Sequence, residues 1–124
     1  MTKQYRVLIA EDEAIIAEDL RLLLRDSGYE VVGVVSSGQE TIEKVAELLP
    51  DLVIMDVRLQ GHLDGIETAK TIRSRHDVPI LYLTAFADET LVARAGITEP
   101  CSIAFKPFLE EDLLKFVREL LLGR

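Results

Sequence analysis

Several features of exported and membrane proteins are absent from this sequence. Cys101 is the only cysteine among 124 residues, so no internal disulfide bond can form. No apolar run approaches the roughly 20 residues needed to span a bilayer. The N-terminal residues lead into a strand pattern without the apolar segment of a signal peptide. Together these absences predict a cytoplasmic protein with no membrane insertion.

Linkers, internal repeats and low-complexity segments are also absent, so residues 1–124 are expected to form one domain with no output domain after it. Apolar residues make up 48% of the chain and charged residues 29%, which is typical of a folded domain with a real core. The net charge of -8 repels phosphate backbones and so argues against direct binding of nucleic acid. The same charge suits a divalent cation.

Nucleotide-binding glycine motifs are missing as well. The chain has no Gly-x-x-x-x-Gly-Lys-Ser/Thr loop, and no Gly-x-Gly-x-x-Gly follows its first strand. That position holds Glu11, Asp12 and Glu13 instead, which would repel a nucleotide unless a metal intervened. No Ser/His/Asp or Cys/His constellation is visible. We interpret Glu13 as the start of the first helix, interacting with the helix dipole.

The most informative stretch that is present runs from Asp51 to Asp56. Four apolar residues there have the length of a strand, and an apolar strand of this kind is typical of the centre of a parallel sheet. The run ends on Asp56, a charge that is costly unless it reaches water, a partner or a metal. Taken alone, Asp56 is equally well explained as a turn residue or as a functional carboxylate.

Strand and helix patterns alternate along the rest of the chain. The predicted strands are Tyr5–Ala10, Glu30–Val35, the stretch ending at Asp56, Pro79–Thr84 and Ser102–Phe105. The predicted helices are Ala14–Ser27, one capped by Ser37 and ending near Leu49, one capped by Asp64 and ending near Arg75, one capped by Asp88 and ending near Gly96, and Leu109–Leu122. Such alternation predicts an α/β fold with a five-stranded parallel sheet and helices on both faces.

Polar side chains follow four of the predicted strands. Glu11 and Asp12 follow the first, Asp56 ends the third, Thr84 ends the fourth and Lys106 follows the fifth. The carboxyl ends of parallel strands share one edge of the sheet, so these groups are expected to converge. Clustered carboxylates suit Mg²⁺, while a lysine and a hydroxyl suit an anion. The set therefore indicates a phosphoryl acceptor site in which Asp56 attacks phosphorus.

On these residues the chain closely resembles the receiver domain of two-component response regulators. The resemblance covers essentially the whole chain and rests on five motifs in order: residues 7–13, residues 51–56, Asp64-Gly65, Tyr82-Leu83-Thr84-Ala85 and Lys106-Pro107-Phe108. It implies a flavodoxin-like sheet with strand order 2-1-3-4-5. It also implies a signalling domain rather than an enzyme, with only weak self-phosphorylation and self-dephosphorylation activity.

The resemblance assigns a role to each clustered residue. Asp56 would accept a phosphoryl group from a phosphohistidine of a sensor kinase or a histidine phosphotransfer protein. Asp12, Asp56 and the backbone carbonyl of Arg58 would bind Mg²⁺, and Glu11 would reach the ion through water. Thr84 and Lys106 would contact the phosphoryl oxygens. The phosphorylated domain would change its affinity for a downstream protein.

The downstream partner is expected on the face formed by helix 4, strand 5 and helix 5, with Thr84, Ile103 and Lys106 as the switch residues. Here the chain departs from the family, which usually carries an aromatic residue where Ile103 stands. We place Phe105 on the opposite face of strand 5, where it would be a poor substitute. Arg58 and Phe86 are bulkier than the residues common beside the site, and they are expected to limit water access and lengthen the phosphoryl lifetime.

Two other functions remain open at this point. A phosphorylation-independent interaction domain would keep the fold without the switch, and Ile103 favours it, whereas Asp12, Asp56, Thr84 and Lys106 argue against it. A metal-dependent phosphohydrolase of another α/β family would typically carry Asp-x-Asp after the first strand. This chain carries Glu11-Asp12-Glu13 there, so that hypothesis is weaker.

Overall fold

In the computed structural model, which describes residues 3–85, 89–96 and 98–123, five strands alternate with five helices. The strands are β1 (Arg6–Ala10), β2 (Glu30–Val35), β3 (Leu52–Asp56), β4 (Ile80–Thr84) and β5 (Cys101–Phe105). The helices are α1 (Ala14–Asp26), α2 (Gly38–Leu48), α3 (Gly65–Arg73), α4 (Glu89–Gly96) and α5 (Glu110–Leu122). These bounds agree with the sequence prediction to within two residues. Asp88, the predicted cap of α4, lies outside the described residues.

The five strands form one parallel sheet in the order β2-β1-β3-β4-β5. The predicted fold class and the strand order implied by the resemblance are therefore confirmed. Every residue of the central strand β3 is buried, as its apolar run predicts. The pairing of β1 with β2 shifts register between Val7 and Leu8, which places an irregularity on the β2 edge of the sheet.

Side chains of successive strand residues point to opposite faces, and each face is covered by its own helices. Val53 and Met55 pack in a cluster with residues of α2, α3 and α4. Leu52 and Ile54 pack in a second cluster with residues of α1 and α5. The fully buried strands thus hold their carboxyl ends in fixed positions along one edge of the sheet.

Capping residues begin two of the helices where the sequence predicts them. Asp64 accepts a hydrogen bond from the Glu67 backbone N–H at 2.8 Å, and the Glu67 carboxylate accepts one from the Asp64 backbone N–H at 3.3 Å. Ser37 likewise accepts from the Glu40 backbone N–H at 3.1 Å. The Glu40 carboxylate, however, accepts from the Ser37 hydroxyl and not from the Ser37 backbone, so α2 has the predicted Ser37 cap but only half of a capping box.

Within the described ranges, no helix combines the length and the apolar composition that a membrane span requires. α1 and α5, with 13 residues each, are about 20 Å long.

Candidate functional site

Residues at the carboxyl ends of β1, β3, β4 and β5 surround a pocket of about 280 Å³. Its lining consists of Asp12, Glu13, Asp56, Arg58, Thr84, Ala85 and Lys106. Asp56 and Thr84 are each 5% exposed, while Asp12 lies in solvent. Glu11, at 2% exposed, lies beneath the pocket rather than in its lining. The residues predicted to converge from separate strands therefore do so.

Lys106 is the cation at the centre of the acidic residues. Its Nζ donates to Asp56 Oδ2 at 2.6 Å and to Glu11 Oε1 at 3.2 Å. It also forms an ion pair with Glu13 at 3.6 Å. Sequence reasoning assigned Glu13 only to the helix start and so missed this contact. Glu13 does precede α1 as its N-cap, but its side chain also joins the site.

Asp56 has its two carboxylate oxygens in different environments. Oδ2 accepts from Lys106, while Oδ1 accepts from the Arg58 backbone N–H at 2.8 Å. The second bond orients the carboxylate from the loop that follows β3. Arg58 also lines the pocket, and its expected effect on the entry of water stays a prediction. Phe86, the other residue expected to restrict water, lies outside the described residues.

Crowding of negative charge changes the titration of the site. Burial, followed by the hydrogen bond and the charge of Asp56, raises the pKa of Glu11 to about 8, although Lys106 partly opposes this. Burial by itself would lower the pKa of Lys106, but its contacts with Asp56 and Glu11 outweigh burial and raise it. The site therefore holds more carboxylate than one lysine neutralises.

A metal ion would relieve this excess. Glu11, Asp12 and Asp56 each offer a carboxylate oxygen, and these three atoms lie within 4.8 Å of one another. Oxygen donors at such spacing fit a hard divalent cation such as Mg²⁺. The donor chemistry and the raised pKa of Glu11 both fit the predicted cofactor. Three of the four predicted ligand residues are thus brought together, and the fourth, Arg58, lines the same pocket.

The switch region on β4 and β5 differs from the prediction at Phe105. Ala104 packs in the cluster of α1 and α5, while Ile103 packs against the opposite cluster. Phe105 is two residues after Ile103 and so lies on the same side of the sheet, not the opposite one. The predicted placement of Phe105 was wrong because it was counted from Lys106, which follows the strand. Phe105 pairs in register with Thr84 and is 43% exposed.

A buried aromatic ring stands on the neighbouring strand, where sequence reasoning assigned no function. Tyr82 pairs in register with Ile103 and is fully buried. Its hydroxyl lies 2.6 Å from Thr98 Oγ1, and Thr98 Oγ1 donates to the Ala95 carbonyl at 2.6 Å. The ring and this pair of hydrogen bonds join β4 to the end of α4. The continuous apolar run of β4 predicts a buried Tyr82, but nothing in it identifies Thr98 as a partner.

Two apolar grooves flank the pocket. The first groove, of about 750 Å³, runs between α1 and the start of α5. Its lining combines apolar residues (Ile16, Leu20, Leu23, Pro107 and Phe108) with acidic ones (Asp19, Asp26 and Glu110). The other, of about 380 Å³, lies between β5 and α5 and includes Ile103, Phe105, Leu109 and Phe116. Exposed apolar side chains, Phe105 at 43% and Leu109 at 64%, mark the second groove as a candidate contact surface.

The fold and this pocket define the chain as a signalling receiver module. The family model of the response regulator receiver domain matches residues 7–118, and the chain belongs to this family. It is 46% identical over 119 residues to the transcriptional regulatory protein PdtaR of Mycobacterium tuberculosis, an alignment covering 96% of this chain and 57% of PdtaR. It is 34% identical over 117 residues to the DNA-binding response regulator MtrA of Mycobacterium bovis, covering 94% and 50%.

Solved structures agree with the sequence relatives. The signal receiver domain of a modulated diguanylate cyclase from Desulfovibrio desulfuricans G20 superposes with a TM-score of 0.90 and 31% identity, covering 98% of this chain and 96% of that domain. The chain spans 57% and 50% of the two curated relatives named above. Family membership places it in two-component signal transduction as a receiver domain.

Proposed function

We propose that Asp56 accepts a phosphoryl group from a phosphohistidine of a sensor histidine kinase or a histidine phosphotransfer protein. The observation that carries this proposal is the 2.6 Å contact between Asp56 Oδ2 and Lys106 Nζ beside two further carboxylates. A buried carboxylate with an adjacent cation is a nucleophile prepared for an anionic electrophile. The resemblance of the whole chain to receiver domains supports the same role.

In the proposed reaction an Asp56 oxygen forms a bond to phosphorus while the bond from phosphorus to the histidine nitrogen breaks, and the released imidazole takes a proton from solvent. Lys106 offsets charge on the phosphoryl oxygens, and the Thr84 hydroxyl donates to one of them. The Arg58 backbone N–H holds the carboxylate in position through its 2.8 Å bond. Arg58, which lines the pocket, is proposed to limit the entry of water, so that phospho-Asp56 decays slowly.

Mg²⁺ belongs to the same proposal. Asp12, Asp56 and the carbonyl of Arg58 would hold the ion, with Glu11 reaching it through water. When bound, Mg²⁺ would supply positive charge next to the phosphoryl oxygens. The carboxylate spacing and the raised pKa of Glu11 support this assignment.

Phosphorylation is proposed to alter the affinity of the domain for a downstream protein at the face of α4, β5 and α5. The groove containing Ile103 and Phe105 lies on that face. Direct binding of nucleic acid is not part of the proposal, because the net charge is -8. The family role supports a cytoplasmic setting, and residues 1–124 would act as a single receiver unit with only weak phosphoryl chemistry of its own.

Incubation with acetyl phosphate and Mg²⁺ tests the proposal, with intact mass as the readout. We expect one added phosphate in the natural sequence and none in Asp56→Asn, which keeps the shape but removes the nucleophile. Asp51→Asn is the matched control, since Asp51 precedes β3 at its opposite end. Phosphate on Asp56→Asn, or none on the natural sequence, would contradict the assignment.

The second candidate is a receiver fold that binds partners without phosphorylation. Ile103, which has no ring to rotate beside Thr84, is the observation in its favour. Failure of the natural sequence to gain phosphate under the same conditions would support this candidate, provided that the domain remains folded.

A further inference from the structure

The backbone at Asp56 is in direct contact with the start of α3. The Gly65 N–H donates to the Val57 carbonyl at 2.7 Å. A Cβ at Gly65 would lie 2.9 Å from Val57 Cα and closer still to the Asp56 carbonyl oxygen. No side chain separates the two backbone segments, so a displacement of the backbone at Asp56 must move the first turn of α3.

Asp64, immediately before that turn, makes two separate connections. Its Oδ1 accepts from the Glu67 backbone N–H at 2.8 Å and so caps α3. Its Oδ2 accepts from Arg94 Nη2 at 2.7 Å, and Arg94 belongs to α4. One carboxylate therefore joins the helix behind the phosphoryl-acceptor residue to the helix on the proposed output face.

The contact between α4 and β4 is buried and uncharged, unlike the ion pair between α4 and Asp64. The hydroxyls of Tyr82 and Thr98 and the carbonyl of Ala95 form a buried, neutral chain of hydrogen bonds to β4. This chain is 0–1% exposed, whereas the side chains of Arg94 and Asp64 are 37% and 31% exposed. The buried contact keeps α4 attached to β4, and the partly exposed ion pair is the contact able to break and form.

We propose that the Asp64–Arg94 ion pair transmits the phosphorylation state of Asp56 to α4. The inference rests on the proposed function, because it concerns the response to a phosphoryl group on Asp56. The route runs from the Asp56 backbone to Gly65, from there to Asp64, and across the ion pair to Arg94. It needs no rotating aromatic ring on β5, which matches the presence of Ile103 there.

The size of the population shift expected at α4 follows from the solvent exposure of the Asp64–Arg94 ion pair. Ion pairs as solvent-accessible as this one stabilise one state over another by a factor of roughly 1.5 to 5. Because coupling between two sites is reciprocal, the phosphorylated and unphosphorylated states should differ in the population of the paired arrangement by a factor in this range. The signal expected at α4 is thus a partial shift of population.

NMR of the alanine methyl groups tests the inference. Ala95 lies in α4 beside Arg94 and is buried, so its methyl resonance reports the position of the helix. The chain is treated with acetyl phosphate and Mg²⁺, and phosphorylation is measured on the same sample by intact mass. The test variants are Arg94→Met and Asp64→Asn; asparagine caps a helix as well as aspartate does, so α3 keeps its cap.

Arg21→Met is the matched control. It removes an ion pair with Glu18 from a helix outside the proposed route, and the Arg21 side chain is as exposed as that of Arg94, at 38% against 37%. In the natural sequence and in this control, phosphorylation should shift the Ala95 methyl resonance. In Arg94→Met and Asp64→Asn the shift should fall at least twofold at an equal extent of phosphorylation.

Four results would overturn the inference. An undiminished Ala95 shift in both test variants would exclude the ion pair as the link. Loss of phosphorylation in both would show that the pair supports the site itself rather than reporting on it. A natural sequence that gains no phosphate would remove the proposed function and this inference together, whereas phosphorylation without any shift at Ala95 would remove the inference alone.

Discussion

The metal-free protein should become less stable as pH rises from about 4.5 to about 8, and Glu11→Gln should remove most of this pH dependence. The folded-state pKa of Glu11 is raised from its ordinary value of 4.5 to about 8. Between these values the folded protein keeps a proton that the unfolded chain has already released. Stability from this group is therefore fully present below about pH 4.5 and is lost as pH rises to about 8.

The size of this change in the free energy of unfolding follows from the difference between the folded and unfolded pKa values of Glu11. Each pH unit between the two pKa values costs about 1.36 kcal/mol per proton. From about pH 5 to about pH 8, allowing for partial titration near each pKa, the natural sequence should lose roughly 3.5 kcal/mol more than Glu11→Gln, or roughly 12 °C in Tm for a domain of this size. The groups facing Glu11, namely Asp56 and Lys106, are common to both proteins, so the difference reports Glu11 together with its interactions with these two groups.

Thermal unfolding in the presence of a chelator, at several pH values across this range, measures the effect. Mg²⁺ should raise Tm more at about pH 8 than at about pH 5, since the cation replaces the proton that Glu11 holds at low pH. Parallel pH profiles for Glu11→Gln and the natural sequence would refute the reasoning. Such profiles would mean that Asp56 and burial do not perturb Glu11.

Two further predictions concern the structure around the site, and urea unfolding checks both. Gly65→Ala should destabilise the protein by about 2–3 kcal/mol, since its Cβ would overlap the backbone at Asp56. The control Gly96→Ala has open space around it and should be neutral or slightly stabilising. Equal effects of the two substitutions would contradict the close contact at Gly65. Thr98→Val should lower the free energy of unfolding by about 1–3 kcal/mol, because it leaves the buried Tyr82 hydroxyl without a hydrogen-bond partner. Tyr82→Phe should lower it less, since Thr98 still donates to the Ala95 carbonyl. The reverse order of the two effects would contradict this hydrogen bonding.

The sheet and the gathering of site residues could be predicted because both follow from local patterns. The apolar run before Asp56 identifies a central strand, and β–α alternation requires that strand ends share an edge. The residues that follow those ends are then adjacent without any knowledge of side-chain packing. Asp56, Thr84 and Lys106 were predicted in this way, and the structure brings them together at one pocket.

Contacts between elements far apart in the chain could not be predicted so readily. Arg94 and Asp64 are separated by 30 residues, and only the path of α4 across the sheet brings them together. The pairing of Glu13 with Lys106 depends on side-chain direction at a helix start, which sequence spacing does not specify. Phe105 was misplaced because a strand's alternation holds only within the strand, and Lys106 lies just beyond it.

Tyr82 has an optical consequence. The chain has three tyrosines and no tryptophan, so its near-ultraviolet spectrum is dominated by a few phenol rings. Burial raises the pKa of Tyr82 far above its ordinary value, so this phenol stays protonated in alkali that ionises an accessible one. The ring that joins β4 to α4 is therefore a built-in chromophore, and a rearrangement of that junction would be visible by absorbance in the unlabelled natural protein.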